Sequence, residues 1–203
     1  MTKIGEGHDR RKRELGDEGE QWALAAAVRP LLALDADARD AAIGEICELL
    51  ERFSGPPVEA ARSHAPHARS RGLEDEELIE ELSGLLHLSR HSDEFGFDLL
   101  SWLPPVDGAE PKAMCLEVKS SSRETFQLSS GEWSCARRFH DADEGDRYAV
   151  LVVRRSTRGG IPVGMDLLVD PVALVASGRL RQEVDGYRIA YRDTGAGELL
   201  RDG

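Results

Sequence analysis

Asp98 and, nineteen residues on, the run Leu116-Glu-Val-Lys119 are the side chains of this 203-residue chain whose types and spacing promise chemistry. In an extended strand successive side chains point to opposite faces. Cys115, Glu117 and Lys119 then stand on one side of the strand, and Met114, Leu116 and Val118 on the other. The apolar set can enter a core while a carboxylate and an ammonium stand together on the opposite face, about 6.6 Å apart along the strand. Asp98 lies near the start of the preceding run, Phe97–Trp102, and hairpin pairing with Ala113–Ser120 brings its carboxylate beside Glu117. Two carboxylates beside a lysine form a hard oxygen site suited to Mg²⁺ or Mn²⁺. Such an ion polarises a phosphoryl oxygen and helps generate hydroxide. Lys119 is placed to orient the attacking water or to offset charge in the transition state. The expected chemistry is phosphodiester hydrolysis, with Asp98 and Glu117 on the metal.

The surrounding elements must position these groups. Residues 1–15 carry five bases without periodicity and are expected to form a flexible basic arm. Gly16–Val28 has acids in its first turn, where the helix dipole favours them, and Pro30 to close it. Over Asp37–Phe53, Ile43, Ile46, Cys47 and Leu50 follow i, i+3, i+4, i+7, a helical stripe broken by Ser54-Gly-Pro-Pro57. A short helix and a His/Arg/Ser loop are expected next. Leu73–Leu88 then forms an amphipathic helix with Leu78, Leu82, Leu85 and Leu86 inward. Beyond it the period changes to that of strands, and a Pro-Pro-Val-Asp-Gly turn joins the hairpin described above. Ser129-Ser-Gly-Glu132 is a capping-box pattern opening a helix to about His140. Arg147–Arg154 is a continuous apolar run bounded by charges, suited to a central strand covered on both faces. Met165–Val169 and Tyr187–Tyr191 complete the strands, with a short helix Pro171–Ala176 between them and Gly178 at its end. The expected fold is α/β, a mixed β-sheet flanked by helices. One domain spans 16–203, with a helical insertion at about 33–88.

Composition narrows the class. Hydrophobic residues make up 40% of the chain, enough for a core, yet the longest apolar stretches fall far short of the roughly 20 residues a bilayer span requires. The amino-terminal residues lack an apolar segment, and three cysteines without paired spacing suggest neither a disulfide framework nor a zinc knuckle. A soluble, reduced, cytoplasmic protein without a membrane partner is expected. The net charge of −12 argues against tight nonspecific DNA binding by the whole chain. The acidity is uneven, however. Residues 33–88 hold thirteen acids and five bases, whereas residues 112–158 hold nine bases and seven acids. The insertion is therefore an expected partner surface, and the rest of the chain is near neutral to basic.

Asp followed by Glu-X-Lys on a β-hairpin resembles the PD-(D/E)XK nucleases, the restriction endonuclease-like superfamily. Within it, the chain resembles the DUF3883 family, named after the C-terminal domain of the plant protein NO VEIN. The matching text is Gly16-Asp-Glu-Gly-Glu20, Phe95-Gly-Phe-Asp-Leu-Leu-Ser101, Cys115-Leu-Glu-Val-Lys-Ser120, Phe126-Gln-Leu-Ser-Ser-Gly-Glu-Trp133 and the apolar strand from Tyr148, in that order. The insertion at 33–88 departs from the family pattern. The resemblance implies a restriction endonuclease-like sheet of four to five strands, and it makes Glu20 a further acidic member of the site. It also implies a nuclease with DNA as substrate, in a setting such as defence against foreign DNA, with targeting supplied by a protein partner or fused domain.

Arg123, Arg137 and Arg138 are candidate phosphate contacts. Glu132 is assigned to the capping box rather than to substrate, and Trp133 to the core. His87 and His91, at i, i+4, and His64 and His67, placed in a loop, are weak zinc candidates. Cys115 shares a face with Glu117 but has no histidine to pair with. The acid run Glu74–Glu81 reads as a solvated helix face. Two non-enzymatic readings stand beside the nuclease: a docking module for a helicase or defence complex that keeps the fold, and an assembly domain built on the acidic helices. A homodimer is left open.

Overall fold

Tyr148-Ala-Val-Leu-Val-Val153 offers apolar side chains to both faces, so its strand is stable only between two covering layers. The structure, a computed structural model, describes residues 3–90, 95–106, 108–157, 160–183 and 188–191, and it places that strand at the centre of a sheet. Among the described residues the strands are β1 (Leu99–Leu103), β2 (Lys112–Ser121), β3 (Thr125–Gln127), β4 (Tyr148–Arg155), β5 (Pro162–Val169), β6 (Leu180–Glu183) and β7 (Arg188–Tyr191). The helices are α1 (Lys3–Leu32), α2 (Ala36–Leu50), α3 (Pro56–Ala68), α4 (Asp75–Leu86), α5 (Ser130–Asp141) and α6 (Pro171–Ala176). The main sheet runs β1-β2-β4-β5. β1 and β2 form the expected antiparallel hairpin, β2 and β4 run parallel, and β5 is antiparallel to β4. The fold is thus α/β with a mixed sheet. A second sheet, β3-β7-β6, accompanies it. β3 and β6 are too short and polar to be read from periodicity.

Each face of β2 has its own cover. On α1, a Cβ added at Gly19 would meet the Cβ and Oγ of Ser120 at 3.1 Å, so this helix lies on the Ser120 face. Tyr148, paired with Cys115, donates its hydroxyl to the Gly96 carbonyl at 2.9 Å and lies 3.3 Å from that of Glu132, placing α5 on the Cys115 face. Cys115 and Ser120 differ in parity, so the two helices sandwich the strand. Met114, Cys115 and Leu116 are all fully buried.

The helices depart from expectation in three places. The basic stretch expected as a flexible arm at 1–15 is, from Lys3 on, the start of α1. Its Lys, Arg and Glu residues are good helix formers, but they give no apolar stripe. Pro30 lies inside α1, which runs on to Leu32. His64 and His67 lie on α3, not in a loop. The buried stripe there is Val58, Ala61, Ala65 and Ala68, whose small side chains carry little hydrophobic contrast. A Cβ at Gly84 of α4 would sit 2.5 Å from the His64 ring, so α3 and α4 approach closely, and His64 Nδ1 pairs with Glu81 at 2.8 Å.

The insertion packs into the same core as the sheet. Ile43, Ile46 and Leu50 of α2 and Leu82, Leu85 and Leu86 of α4 are buried with Leu99, Leu116 and Val150. Phe53, just past α2, meets Phe95 and Phe97 edge-on at centroid distances of 5.9 and 5.0 Å. Arg138 lies over the Phe53 ring and Arg52 over Phe139, while the Arg52 guanidinium also grips both oxygens of Glu144. The run Glu74–Glu80 is exposed apart from Leu78. Among the described residues no helix is long and apolar enough to cross a membrane.

Candidate active site

Glu20 reaches the sheet because α1 is held close to it. Arg155, at the end of β4, is buried and donates to the Leu15 carbonyl at 2.7 Å, Glu18 Oε2 at 2.6 Å and the Gly160 carbonyl at 2.6 Å. It also contacts Ser120 Oγ. This clamp and the missing side chain of Gly19 let the helix settle against the end of β2. Asp98 is placed by hairpin pairing: its N–H donates to the Leu116 carbonyl, and its Oδ2 accepts the Val118 N–H at 2.7 Å. Gly96, at φ +76°, lets α5 close over this segment. A Cβ there would lie 2.9 Å from Cys135 Cβ and 3.0 Å from the Gly131 carbonyl.

α5 brings the last member. Ser129 caps it in the expected capping box: Glu132 N–H donates to Ser129 Oγ and Glu132 Oε2 accepts the Ser129 N–H at 2.7 Å. The same Oε2 lies 3.0 Å from Lys119 Nζ, which is 2.6 Å from Glu117 Oε1. Glu20, Asp98, Glu117, Lys119, Ser129 and Glu132 thus line one cleft of about 360 Å³. The sequence reading gave Glu132 a capping role alone; the structure makes it a partner of Lys119 as well. It also missed His87 and Ser89, which bond to Glu20 Oε2 at 3.3 and 2.9 Å, because no local spacing links them to α1.

The electrostatics are those of a site short of positive charge. Burial, and after it the Asp98 charge, push the Glu117 carboxyl up to about 9. Burial likewise raises Asp98 to about 6, against the opposing Val118 hydrogen bond. Burial draws the Lys119 ammonium down, but Glu117 and Glu132 together overcome this and raise it. A raised Glu117 is neutral at pH 7, whereas a raised Lys119 needs an anion beside it. Glu132, with Oε2 3.0 Å from the ammonium, is the second acidic partner of Lys119 beside Glu117. Glu20 moves opposite to Asp98 and Glu117: the His87 hydrogen bond lowers it despite burial.

Among the described residues no group of three or more His, Cys, Asp or Glu side chains is arranged to hold a metal ion. Mg²⁺, however, is commonly held by one or two carboxylates, completing its shell with water and substrate phosphate. Asp98 and Glu117 are buried hard oxygen donors whose ionised forms repel each other; a divalent cation would offset that repulsion by displacing the Glu117 proton, so the residues fit it. The remaining candidates lie elsewhere. Arg123 is exposed in the turn after β2, where its N–H donates to Ser121 Oγ. Arg137 and Arg138 line a separate groove of about 530 Å³ along α5 with Ser134 and Asp141. Burial pushes the Cys115 thiol well up, consistent with an inert core residue. Trp133 is in the core, and His91 lies outside the described residues. Compared with known proteins, the chain matches no family model, no curated protein and no solved structure.

Proposed function

We propose that the chain is a metal-dependent nuclease of PD-(D/E)XK type that hydrolyses phosphodiester bonds of nucleic acid, DNA foremost. The observation that carries this is the convergence of Glu20, Asp98, Glu117 and Lys119, from three elements spread over a hundred residues, on a single cleft. Asp98 and Glu117 would hold Mg²⁺ or Mn²⁺, which when bound supplies Lewis-acid polarisation of the phosphoryl oxygen and acidification of water. Lys119, paired with Glu117 and Glu132, orients the attacking water and offsets charge on the phosphoryl oxygens. Glu20 adds an ionised carboxylate at the rim. Arg123, Arg137 and Arg138 extend the phosphate contacts beyond the cleft. The net charge of −12 supports delivery to DNA by a protein partner or fused domain docked on the acidic insertion. Defence against foreign DNA in the cytoplasm is the setting we propose.

The test is cleavage of plasmid and single-stranded DNA with Mn²⁺ or Mg²⁺, comparing the wild type with Lys119→Ala and Glu117→Ala. Metal-dependent cutting lost in both variants supports the assignment. Cutting that persists in them refutes this site. No cutting by any of the proteins, together with no Mn²⁺ binding by calorimetry, replaces the nuclease with a docking module that keeps the fold.

A further inference from the structure

The last residues of the insertion lie directly against Asp98 and the start of β1. The His87 N–H closes α4 on the Ser83 carbonyl at 3.0 Å, His87 forms a β-bridge with Leu99, and the Ser89 N–H donates to the Asp98 carbonyl at 2.9 Å. The side chains of the same two residues meet one oxygen of α1: Ser89 Oγ donates to Glu20 Oε2 at 2.9 Å, and His87 Nε2 lies 3.3 Å from it. His87 is only 8% exposed, so its ring has little freedom to turn away. Both of these contacts fall on Glu20 Oε2, and Glu20 lines the cleft. A glutamate on a helix has three rotatable side-chain bonds and samples many positions unless something fixes it.

We infer that His87 and Ser89 are positioning residues that clamp Glu20 by one oxygen, fixing its carboxylate relative to Asp98 and leaving the other oxygen for the reaction. The insertion is then part of the catalytic apparatus as well as a partner surface. His87 Nε2 acts as donor in this contact, because the carboxylate can only accept. The inference rests on the nuclease reading of the cleft, and its test separates the two.

Five proteins would be compared on a DNA oligonucleotide with Mn²⁺: wild type, His87→Leu, His87→Gln, Glu20→Ala and the His87→Leu/Glu20→Ala double variant. Melting curves confirm that each is folded. His87→Leu is expected to lower kcat tenfold or more with KM within about twofold, and to add nothing in the Glu20→Ala background, because both changes break one contact. His87→Gln, which keeps an N–H donor, restores most of the rate. Additive losses in the double variant, or an unaffected His87→Leu rate, would overturn the inference. Nitrogen-15 NMR of the imidazoles gives a readout free of activity: the His87 ring resonance must move in Glu20→Gln. If it stays in place the clamp is refuted, whatever the rates. If the wild type cuts nothing but the resonance moves, the clamp stands and the nuclease reading falls.

Discussion

Replacing Glu117 with glutamine should stabilise the metal-free protein, and by an amount that depends on pH. The side chain is 3% exposed and, through burial and then the Asp98 charge, keeps its proton up to about pH 9 when folded. In the unfolded chain it loses that proton above the ordinary glutamate value of 4.5. A folded-state pKa raised in this way means that the native state binds the extra proton, so stability falls as pH climbs from 4.5 towards 9. At roughly 1.4 kcal/mol per pH unit, the loss accumulated by pH 7 is about 3 kcal/mol, and by pH 5 it is under about 1 kcal/mol. Glutamine has the same shape, no proton to release, and an oxygen that still accepts from Lys119. Because the titration is shared with Asp98 and Lys119, about 2 kcal/mol is the expected gain at pH 7. In a protein of this size that raises Tm by roughly 4–8 °C. Melting of both proteins in chelator at pH 5, 6, 7 and 8 measures it directly. Adding Mn²⁺ should then raise the Tm of the wild type and leave Glu117→Gln nearly unmoved. A variant less stable at every pH, or a gain independent of pH, refutes the electrostatic account of the cleft.

Three further changes probe the geometry. Gly19→Ala sets a methyl 3.1 Å from Ser120, so α1 must shift by a few tenths of an ångström; cleavage should fall about tenfold while the helix-propensity gain keeps stability within about 1 kcal/mol. Kinetics and melting on one preparation check both, and a normal rate contradicts the close approach. Glu132→Gln keeps the cap on Ser129 but weakens the pairing that offsets burial of the Lys119 ammonium, so it should melt below the wild type and cut poorly. Glu132→Ala should in addition lose about 1 kcal/mol, read by denaturant titration. Arg137→Ala with Arg138→Ala should weaken DNA binding and reduce the slope of log K against log salt by about two, read by fluorescence anisotropy; an unchanged slope removes the α5 groove from the substrate path.

Much of this was legible in the chain itself. The alternation in Ala113–Ser120, the unbroken apolar run from Tyr148 and the capping box at Ser129 each carry a local physical rule, and each element appears where that rule puts it. Asp98 beside Glu117 follows from hairpin pairing alone. The start of α1 was not legible, because a helix built of Lys, Arg and Glu has no stripe to detect. The short helix expected after Pro57 is longer than the sequence suggests for a related reason: alanines bury without contrast, so the turns of α3 that carry His64 and His67 read as a loop. The long-range partners were beyond reach in principle. Glu132 to Lys119, His87 to Glu20 and Arg138 over Phe53 are set by how α5 and the insertion pack on the sheet, which no spacing within one segment encodes.

The clamp at Arg155 has a consequence for the protein's birth on the ribosome. Every acidic and basic side chain of the cleft, from Glu20 to Glu132, emerges before Arg155 does. Yet the bonds that hold α1 in place reach back 137 and 140 residues, to Glu18 and Leu15. Contacts that distant in sequence close only after the intervening chain is available. A nascent chain halted before β4 therefore carries every side chain of the cleft and can form the β1–β2 hairpin, but it lacks the contacts that hold Glu20 against that hairpin.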